Sequence, residues 1–117
     1  MTPKRFAFIL AALALVLLAG EFAARALYQI PYYRASATTG YELVPDQSGT
    51  FLGRSDWHVN SLGMPVEEEF SPSEAFDVLL VGDSIVHGTV STPQSSQLAE
   101  TLARKTGWSV WPVATKS

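Results

Sequence analysis

The 117-residue sequence contains no cysteine. This absence excludes a disulfide framework, catalysis by a thiolate and metal sites built from thiolates. No run of basic residues follows Arg5, and the formal net charge is −3. Nucleic acid is therefore not an expected partner, because phosphate binding needs clustered lysine and arginine. The three adjacent glutamates at 67–69 are expected to be surface charge, because no further ligands at a metal-binding spacing accompany them.

A long apolar run occurs at the N-terminus. Lys4 and Arg5 precede an uncharged apolar stretch from Phe6 to Gly20. This is the layout of a secretory signal or a signal anchor. Basic residues before the run predict a cytoplasmic N-terminus and a C-terminal part in the periplasm or extracellular space. We expect residues 1–30 to hold a single-pass anchor in the cytoplasmic (inner) membrane, with one helix from about Pro3 to Tyr28.

Two alternatives for this segment stay open. Ala24-Arg25-Ala26 has the small-x-small form of a cleavage site, which is compatible with a signal peptide that is removed. A buried helix of a soluble protein is disfavoured, because the run has no polar face before Glu21. Glu21 and Arg25 are four residues apart and can pair on one helical face, and apolar residues resume beyond them. These features favour the uncleaved anchor.

Turn-forming residues divide the middle of the chain. Pro31 ends the predicted helix, and residues 34–40 are mostly small and polar without a period, so residues 31–40 are expected to be a linker. Residues 41–76 contain short apolar pieces separated by Pro-Asp, Ser-Gly and Leu-Gly. This pattern predicts two or three short strands with turns, and His58 is expected to lie in a strand.

Residues 77–113 show a strand, helix, strand pattern. The apolar run at 78–81 predicts that residues 77–81 form a strand buried on both faces. Thr92 as N-cap and Pro93 predict the start of a helix that Gly107 ends. Residues 108–113 form the second strand, so the connection predicts a parallel pair. The predicted fold class is α/β: an N-terminal transmembrane or signal helix, short β segments, and a βαβ unit within 77–117.

Gly82-Asp83-Ser84 follows the first of these strands directly. Ligands bind at the carboxyl ends of strands in parallel α/β sheets. A serine on the first helical turn meets free backbone N–H groups, which favour an oxyanion beside it. Gly82 and Gly88 allow a substrate to approach the backbone. The pattern predicts a nucleophile at Ser84, and the plain alternative is an ordinary turn between a strand and a helix.

A phosphatase of the haloacid dehalogenase type also carries Gly-Asp-Ser after a strand, with the aspartate near Mg²⁺. That chemistry needs an Asp-x-Asp nucleophile loop, which the sequence does not contain. It usually has another aspartate about four residues further on, where this chain has His87 and Gly88. We therefore predict neither a metal nor a cofactor.

The segment VLLVGDSIVHG resembles the first block of the SGNH (GDSL-type) hydrolase family. The resemblance implies that Ser84 is the nucleophile, that its backbone N–H is one oxyanion donor, and that Gly82 and Asp83 are adjacent motif residues. Asn60 and Gly63 in NSLGMP resemble an upstream segment of membrane-anchored, extracytoplasmic members, although proline stands where arginine is usual.

The resemblance implies an incomplete flavodoxin-like parallel sheet. It also implies a serine esterase or acyl-transfer hydrolase acting on ester- or acetyl-bearing substrates, with surface polysaccharide among the candidates. Members of the family take their base from an Asp-x-x-His and complete the oxyanion hole with a glycine and an asparagine. The sequence contains no Asp-x-x-His, and no asparagine follows Ser84.

His87 lies three residues after Ser84 on the same turn, and we expect it to line the site or face solvent rather than to act as the base. We therefore expect residues 77–117 to be the truncated N-terminal part of such a domain, inactive in this chain. The alternative function is a non-enzymatic, membrane-tethered module that pairs its bare sheet edge with a partner chain.

Overall fold

The computed structural model describes residues 2–71 and 73–114, which begin with a long apolar helix. Helix α1 runs over Pro3–Leu27 and has a proline in its first turn, where no backbone N–H is needed. None of its residues is buried, and its most apolar window has a mean hydropathy of 2.4. By length and composition α1 can span a membrane, and its bounds confirm the predicted helix from Pro3 to Tyr28.

Three two-stranded sheets follow α1 in the described residues. Two are antiparallel: β1 (Tyr33–Ser36) pairs with β2 (Gly40–Leu43), and β3 (Gln47–Phe51) pairs with β4 (Ser55–Val59). The third is the parallel pair of β5 (Val78–Gly82) and β6 (Val110–Ala114), joined through α2 (Ser84–His87), a 3₁₀ turn at Gln94–Ser96 and α3 (Leu98–Thr106). The parallel crossover and the position of His58 in a strand are as predicted.

Residues 31–40 are not the linker that their polarity predicts. Tyr33–Ser36 forms β1, and Arg34 Nε donates to Glu42 Oε1 across the pair at 2.7 Å. The small polar residues form the turn of this hairpin, where the Ser36 hydroxyl accepts from the backbone N–H of Thr39 at 3.4 Å. Their polarity reflects a tight turn rather than an unstructured connection.

The chain leaving α1 is held against the β3–β4 hairpin by hydrogen bonds. The Trp57 indole N–H donates to the Gln29 carbonyl at 2.8 Å, and the backbone N–H of Thr50 donates to Gln29 Oε1 at 2.9 Å. Further along, Gln47 Nε2 donates to the Tyr32 carbonyl at 2.9 Å. Residues 28–32 are therefore part of the folded domain.

Two clusters of buried apolar side chains stabilise the domain. One lies between α3 and the parallel strands, and its buried members are Val66, Phe70, Ala99 and Val110. The other lies among the hairpins, and its buried members are Leu43, Trp57 and Val59. Burial of these side chains removes apolar surface from water, the main favourable contribution to folding.

Strand β5 is partly buried on one face and exposed on the other, so the prediction of burial on both faces is wrong. Val78 and Leu80 pack against the cluster beside α3. On the opposite face Leu79 is 49% exposed, Val81 is 68% exposed and Val113 of β6 is 46% exposed. Among the described residues, α3 covers one face and no helix covers the other.

The helix before β6 starts later than predicted. Thr92 is not its N-cap, because α3 begins at Leu98 and Pro93 precedes the 3₁₀ turn. Tertiary hydrogen bonds hold this stretch: Gln94 Oε1 accepts from the backbone N–H of His58, and Gln97 Nε2 donates to the Thr92 carbonyl at 3.3 Å. The C-terminus is as predicted, with Gly107 in the left-handed conformation.

Candidate functional site

Ser84 lies at the carboxyl end of the parallel strand β5, where the sequence predicts it. Asp83 separates it from the strand and caps α2, because Asp83 Oδ1 accepts from the backbone N–H of Ile85 at 3.0 Å. Helix α2 ends after one turn, where the Gly88 N–H donates to the Ser84 carbonyl at 3.0 Å. Strand, cap and turn together hold the backbone of Ser84 at this end of the sheet.

The Ser84 hydroxyl and backbone N–H make no hydrogen bond within the part of the chain that the structure describes. Ser84 is exposed to solvent. Helix α2 has four residues, so it contributes little of the macrodipole that a full helix would provide. Stabilisation of an anion beside Ser84 therefore depends on individual amides, in particular its own.

The two glycines that flank α2 have packing roles. A Cβ at Gly82 would lie 2.5 Å from Val86 Cγ2, closer than real side chains approach. A Cβ at Gly88 would overlap the Gln97 side chain, and Gly88 has a φ of +74°, which other residues rarely adopt. Packing of α2 against β5 and Gln97 accounts for both glycines without a substrate.

The imidazole of His87 is buried and contacts groups other than Ser84. Its Nε2 lies 3.3 Å from the Tyr33 hydroxyl, and its Nδ1 lies 3.2 Å from the Gly88 carbonyl oxygen. A carbonyl only accepts, so Nδ1 carries a proton in this arrangement, and Nε2 pairs with the Tyr33 hydroxyl. Burial raises the pKa of the Tyr33 hydroxyl. The structure does not bring His87 and Ser84 together as base and nucleophile.

A second histidine pairs with one of the three glutamates. His58 Nε2 lies 3.3 Å from Glu69 Oε1, and Glu69 Oε2 accepts from the backbone N–H of Ser61 at 2.9 Å. Hydrogen bonds from the Ser61 hydroxyl and backbone amide, with a smaller contribution from His58, lower the pKa of the Glu69 carboxyl. The glutamates at 67–69 are exposed, as predicted. No group of three potential metal ligands occurs in the described part of the chain.

Asn60, part of the upstream resemblance, is fully buried in a turn. Its Oδ1 accepts from the backbone N–H of Leu62 at 3.1 Å and of Met64 at 2.9 Å, and its Nδ2 donates to the Glu68 carbonyl at 2.9 Å. Gly63, with a φ of +77°, completes the same turn. These two residues stabilise a loop and make no hydrogen bond to the segment at 82–88.

A cavity of about 210 Å³ lies between the hairpins and residues 87–97. Its apolar walls include Leu43, Trp57 and Val90, and His87 and Gln94 contribute polar groups. The Gln94 side-chain amide nitrogen is buried without a hydrogen-bond partner in the described structure. Ser84 does not line this cavity. Sequence reasoning missed it, because Gln94 and the hairpin residues meet only through tertiary packing.

Comparisons with known proteins return no match. No protein-family model, no curated protein and no solved structure matches this chain. The residues and contacts described above are therefore the basis for a functional interpretation.

Proposed function

We propose that residues 77–114 form the nucleophile-bearing part of a serine esterase or acyl-transfer hydrolase of the SGNH (GDSL) type. The observation that carries the proposal is the position of Ser84, which is exposed at the carboxyl end of a parallel strand with its hydroxyl and amide bonded to none of the described residues. The proposed substrates of this hydrolase are ester- or acetyl-bearing molecules outside the cytoplasm, with surface polysaccharide as one class.

These two groups of Ser84 supply part of the chemistry of ester cleavage. The Ser84 hydroxyl can attack an ester carbonyl, and the Ser84 N–H can donate to the oxyanion that forms. Attack also needs a base to accept the hydroxyl proton. Because the His87 ring nitrogens contact Tyr33 and Gly88, and no Asp-x-x-His occurs in the sequence, this chain alone lacks that base. We therefore propose that it is inactive by itself.

The test is an esterase assay of the full chain in detergent with p-nitrophenyl acetate. The comparison includes Ser84→Ala and the control Ser91→Ala, which removes an exposed hydroxyl bonded to Thr89 at 2.8 Å. We expect all three proteins to show the same background rate. Turnover by the unmodified chain that Ser84→Ala abolishes and Ser91→Ala preserves would overturn the proposed inactivity, and would assign the role of base to His87.

Helix α1 is proposed to be an uncleaved anchor in the cytoplasmic membrane, with residues 28–114 on the outer side. Its length, apolar composition and complete exposure support this placement. A C-terminal alkaline phosphatase fusion is expected to be active, because that reporter folds only outside the cytoplasm. The intact mass of the membrane-extracted protein is expected to include α1. A protein that begins after Ala26 would instead indicate a cleaved signal.

A second candidate is a membrane-tethered module without enzymatic activity that binds a partner chain. The uncovered apolar face at Leu79, Val81 and Val113 favours it, as do the outer edges of β5 and β6, which pair with no other described strand. Open edges accept an added strand from a partner. Slow amide hydrogen exchange across residues 77–113 in the full chain would favour this candidate, and a disordered spectrum would count against it.

A further inference from the structure

We infer that the turn of the β3–β4 hairpin lies in the membrane interface beside the end of α1, so that the domain sits directly on the lipid surface. This inference depends on the anchor described under the proposed function. The residues concerned are Phe51, Leu52, Gly53 and Arg54, called here the juxtamembrane turn. The partner of this surface is the headgroup region of the bilayer that α1 crosses.

The juxtamembrane turn contacts the C-terminal end of α1 through backbone and side chains. The backbone N–H of Leu52 donates to the carbonyl of Leu27, the last residue of α1. Tyr28 and Phe51 form an isolated antiparallel bridge. Their rings meet edge to face, with centroids 5.5 Å apart. The depth of the helix end in the membrane therefore sets the depth of the turn.

The length of α1 places this contact at the edge of the hydrocarbon layer. A layer of about 30 Å is crossed by roughly 20 helical residues at about 1.5 Å each. A span that starts at Phe6, after the basic pair, ends near Arg25, and the Leu27 carbonyl lies just beyond it. Arg25 Nε pairs with Glu21 Oε1 at 2.7 Å, which offsets both charges near this edge.

Protein groups bond to three of the last four carbonyls of α1. The Ala24 carbonyl accepts from the Tyr28 N–H at 2.8 Å, the Ala26 carbonyl accepts from Gln29 Nε2 at 3.5 Å, and the Leu27 carbonyl accepts from Leu52. A helix end in water can leave these carbonyls to solvent. A helix end at the edge of a bilayer needs partners from the protein itself, because water is scarce there.

The backbone conformation of Leu52 supports the same inference, independently of the contacts with α1. Leu52 has a φ of +53° and Gly53 a φ of +61°, in a turn closed by the Arg54 N–H donating to the Phe51 carbonyl at 3.1 Å. Turns with two left-handed residues favour asparagine followed by glycine, and a leucine at the first position is unfavourable. Leu52 is 39% exposed, so part of its apolar surface is left uncovered by the domain and can contact lipid.

The positive charge of Arg54, beside Leu52, also suits the headgroup region of a bilayer. Arg54 is exposed in the turn and can attract the anionic headgroups of a bilayer. The β3–β4 ladder extends from the Phe51–Ser55 pair, which lies beside the end of α1, to the Gln47–Val59 pair. These pairs are about 13 Å apart at roughly 3.3 Å per residue. Leu62, just beyond the far end, is 37% exposed and is a matched control for Leu52.

The test uses single-cysteine variants of the full chain, which has no native cysteine. Leu15→Cys in α1, Leu52→Cys in the juxtamembrane turn and Leu62→Cys are each spin-labelled and reconstituted in vesicles of phosphatidylcholine and phosphatidylglycerol in equal amounts. Collision of each label with oxygen, which enters lipid, is compared with collision with a water-soluble nickel chelate. Tyr28→Cys provides a second site at the same depth in case a label at Leu52 perturbs the turn.

We expect the Leu15 label to be protected from nickel, the Leu62 label to be fully accessible to it, and the Leu52 and Tyr28 labels to be several-fold less accessible than the Leu62 label. If the Leu15 label is embedded but the Leu52 and Tyr28 labels are as accessible as the Leu62 label, the anchor stands and this inference is wrong. If the Leu15 label is itself in water, the anchor and this inference both fail.

Discussion

The hydroxyl of Tyr33 lies 3.3 Å from Nε2 of His87, and the two rings stack with centroids 5.9 Å apart. This contact joins β1, the first strand after α1, to the last residue of the one-turn helix that begins at Ser84. The candidate nucleophile is therefore held in place from two sides, by β5 before it and by the hairpin after α1. The same contact engages the histidine nearest to Ser84 in sequence.

Replacing Tyr33 with phenylalanine removes one side of this contact. Tyr33→Phe keeps the stacked ring but removes the hydroxyl that pairs with His87 Nε2, so we expect the free energy of unfolding to fall by about 1 kcal/mol. Urea unfolding of the full chain in detergent micelles, followed by circular dichroism, measures the change. The control is Tyr41→Phe, where the side chain is 66% exposed, and its effect should stay within about 0.5 kcal/mol. Equal losses in the two variants would contradict the contact.

The contact between Ser61 and Glu69 predicts a pH dependence of stability. The folded pKa of Glu69 is lowered, chiefly by the Ser61 hydroxyl and amide and less by His58, so the contact stabilises the ionised carboxylate. Its contribution is fully present above the ordinary glutamate pKa of 4.5 and is lost as the pH falls through the lower folded value.

Glu69→Gln should therefore reduce the urea midpoint at neutral pH and match the unmodified chain at the acidic end of the titration. Glu68→Gln, in an adjacent exposed residue, is the control and should leave the midpoint unchanged throughout. A difference between Glu69→Gln and the unmodified chain that persists at low pH would show that Glu69 acts other than as a carboxylate.

Gly88 should be less tolerant of substitution than Gly40. Both have a positive φ, but a Cβ at Gly88 overlaps the Gln97 side chain, whereas a Cβ at Gly40 meets nothing within 4 Å. Gly88→Ala should therefore lower the free energy of unfolding by about 1–3 kcal/mol more than Gly40→Ala, the usual cost of overpacking. Urea unfolding of the two variants measures this difference, and equal costs would indicate backbone strain without the clash.

The two faces of the parallel sheet should respond differently to substitution. Val81→Ser changes a side chain that is 68% exposed and should alter the free energy of unfolding by less than about 0.5 kcal/mol. Val110→Ala changes one that is 2% exposed and should cost about 2 kcal/mol. A large cost of Val81→Ser in the full chain would mean that the uncovered face is packed against another chain in solution.

Local sequence patterns predicted the elements whose conformation depends on residues close together in the sequence. The apolar run fixes α1, the left-handed Gly107 ends α3, and the strand before Gly82 leads directly to Ser84. Each of these depends on the spacing of neighbours along the chain, which is visible in the sequence.

The features that were missed depend on contacts between distant residues. The strand at Tyr33–Ser36 forms because β2 pairs with it, and the start of α3 is delayed because Gln94 and Gln97 bond to groups elsewhere. The uncovered face of β5 follows from the number of layers around the sheet, which its own apolar run does not specify. The contact between Tyr33 and His87 likewise joins residues that are far apart in the sequence, so no local pattern predicts it.

The most direct test of the central claim, that Ser84 occupies the position of a nucleophile, is the acylation of Ser84→Cys by p-nitrophenyl acetate. The variant carries a single thiol, which with a pKa of about 8.5 reacts in mildly alkaline buffer without a neighbouring base. Ser91→Cys places the same thiol in an exposed turn and is the matched control.

Because the Ser84 amide can donate to the developing oxyanion, we predict that Ser84→Cys releases one equivalent of p-nitrophenolate at least about tenfold faster than Ser91→Cys. Equal rates for the two variants would contradict the account and identify Gly82-Asp83-Ser84 as an ordinary turn between a strand and a helix.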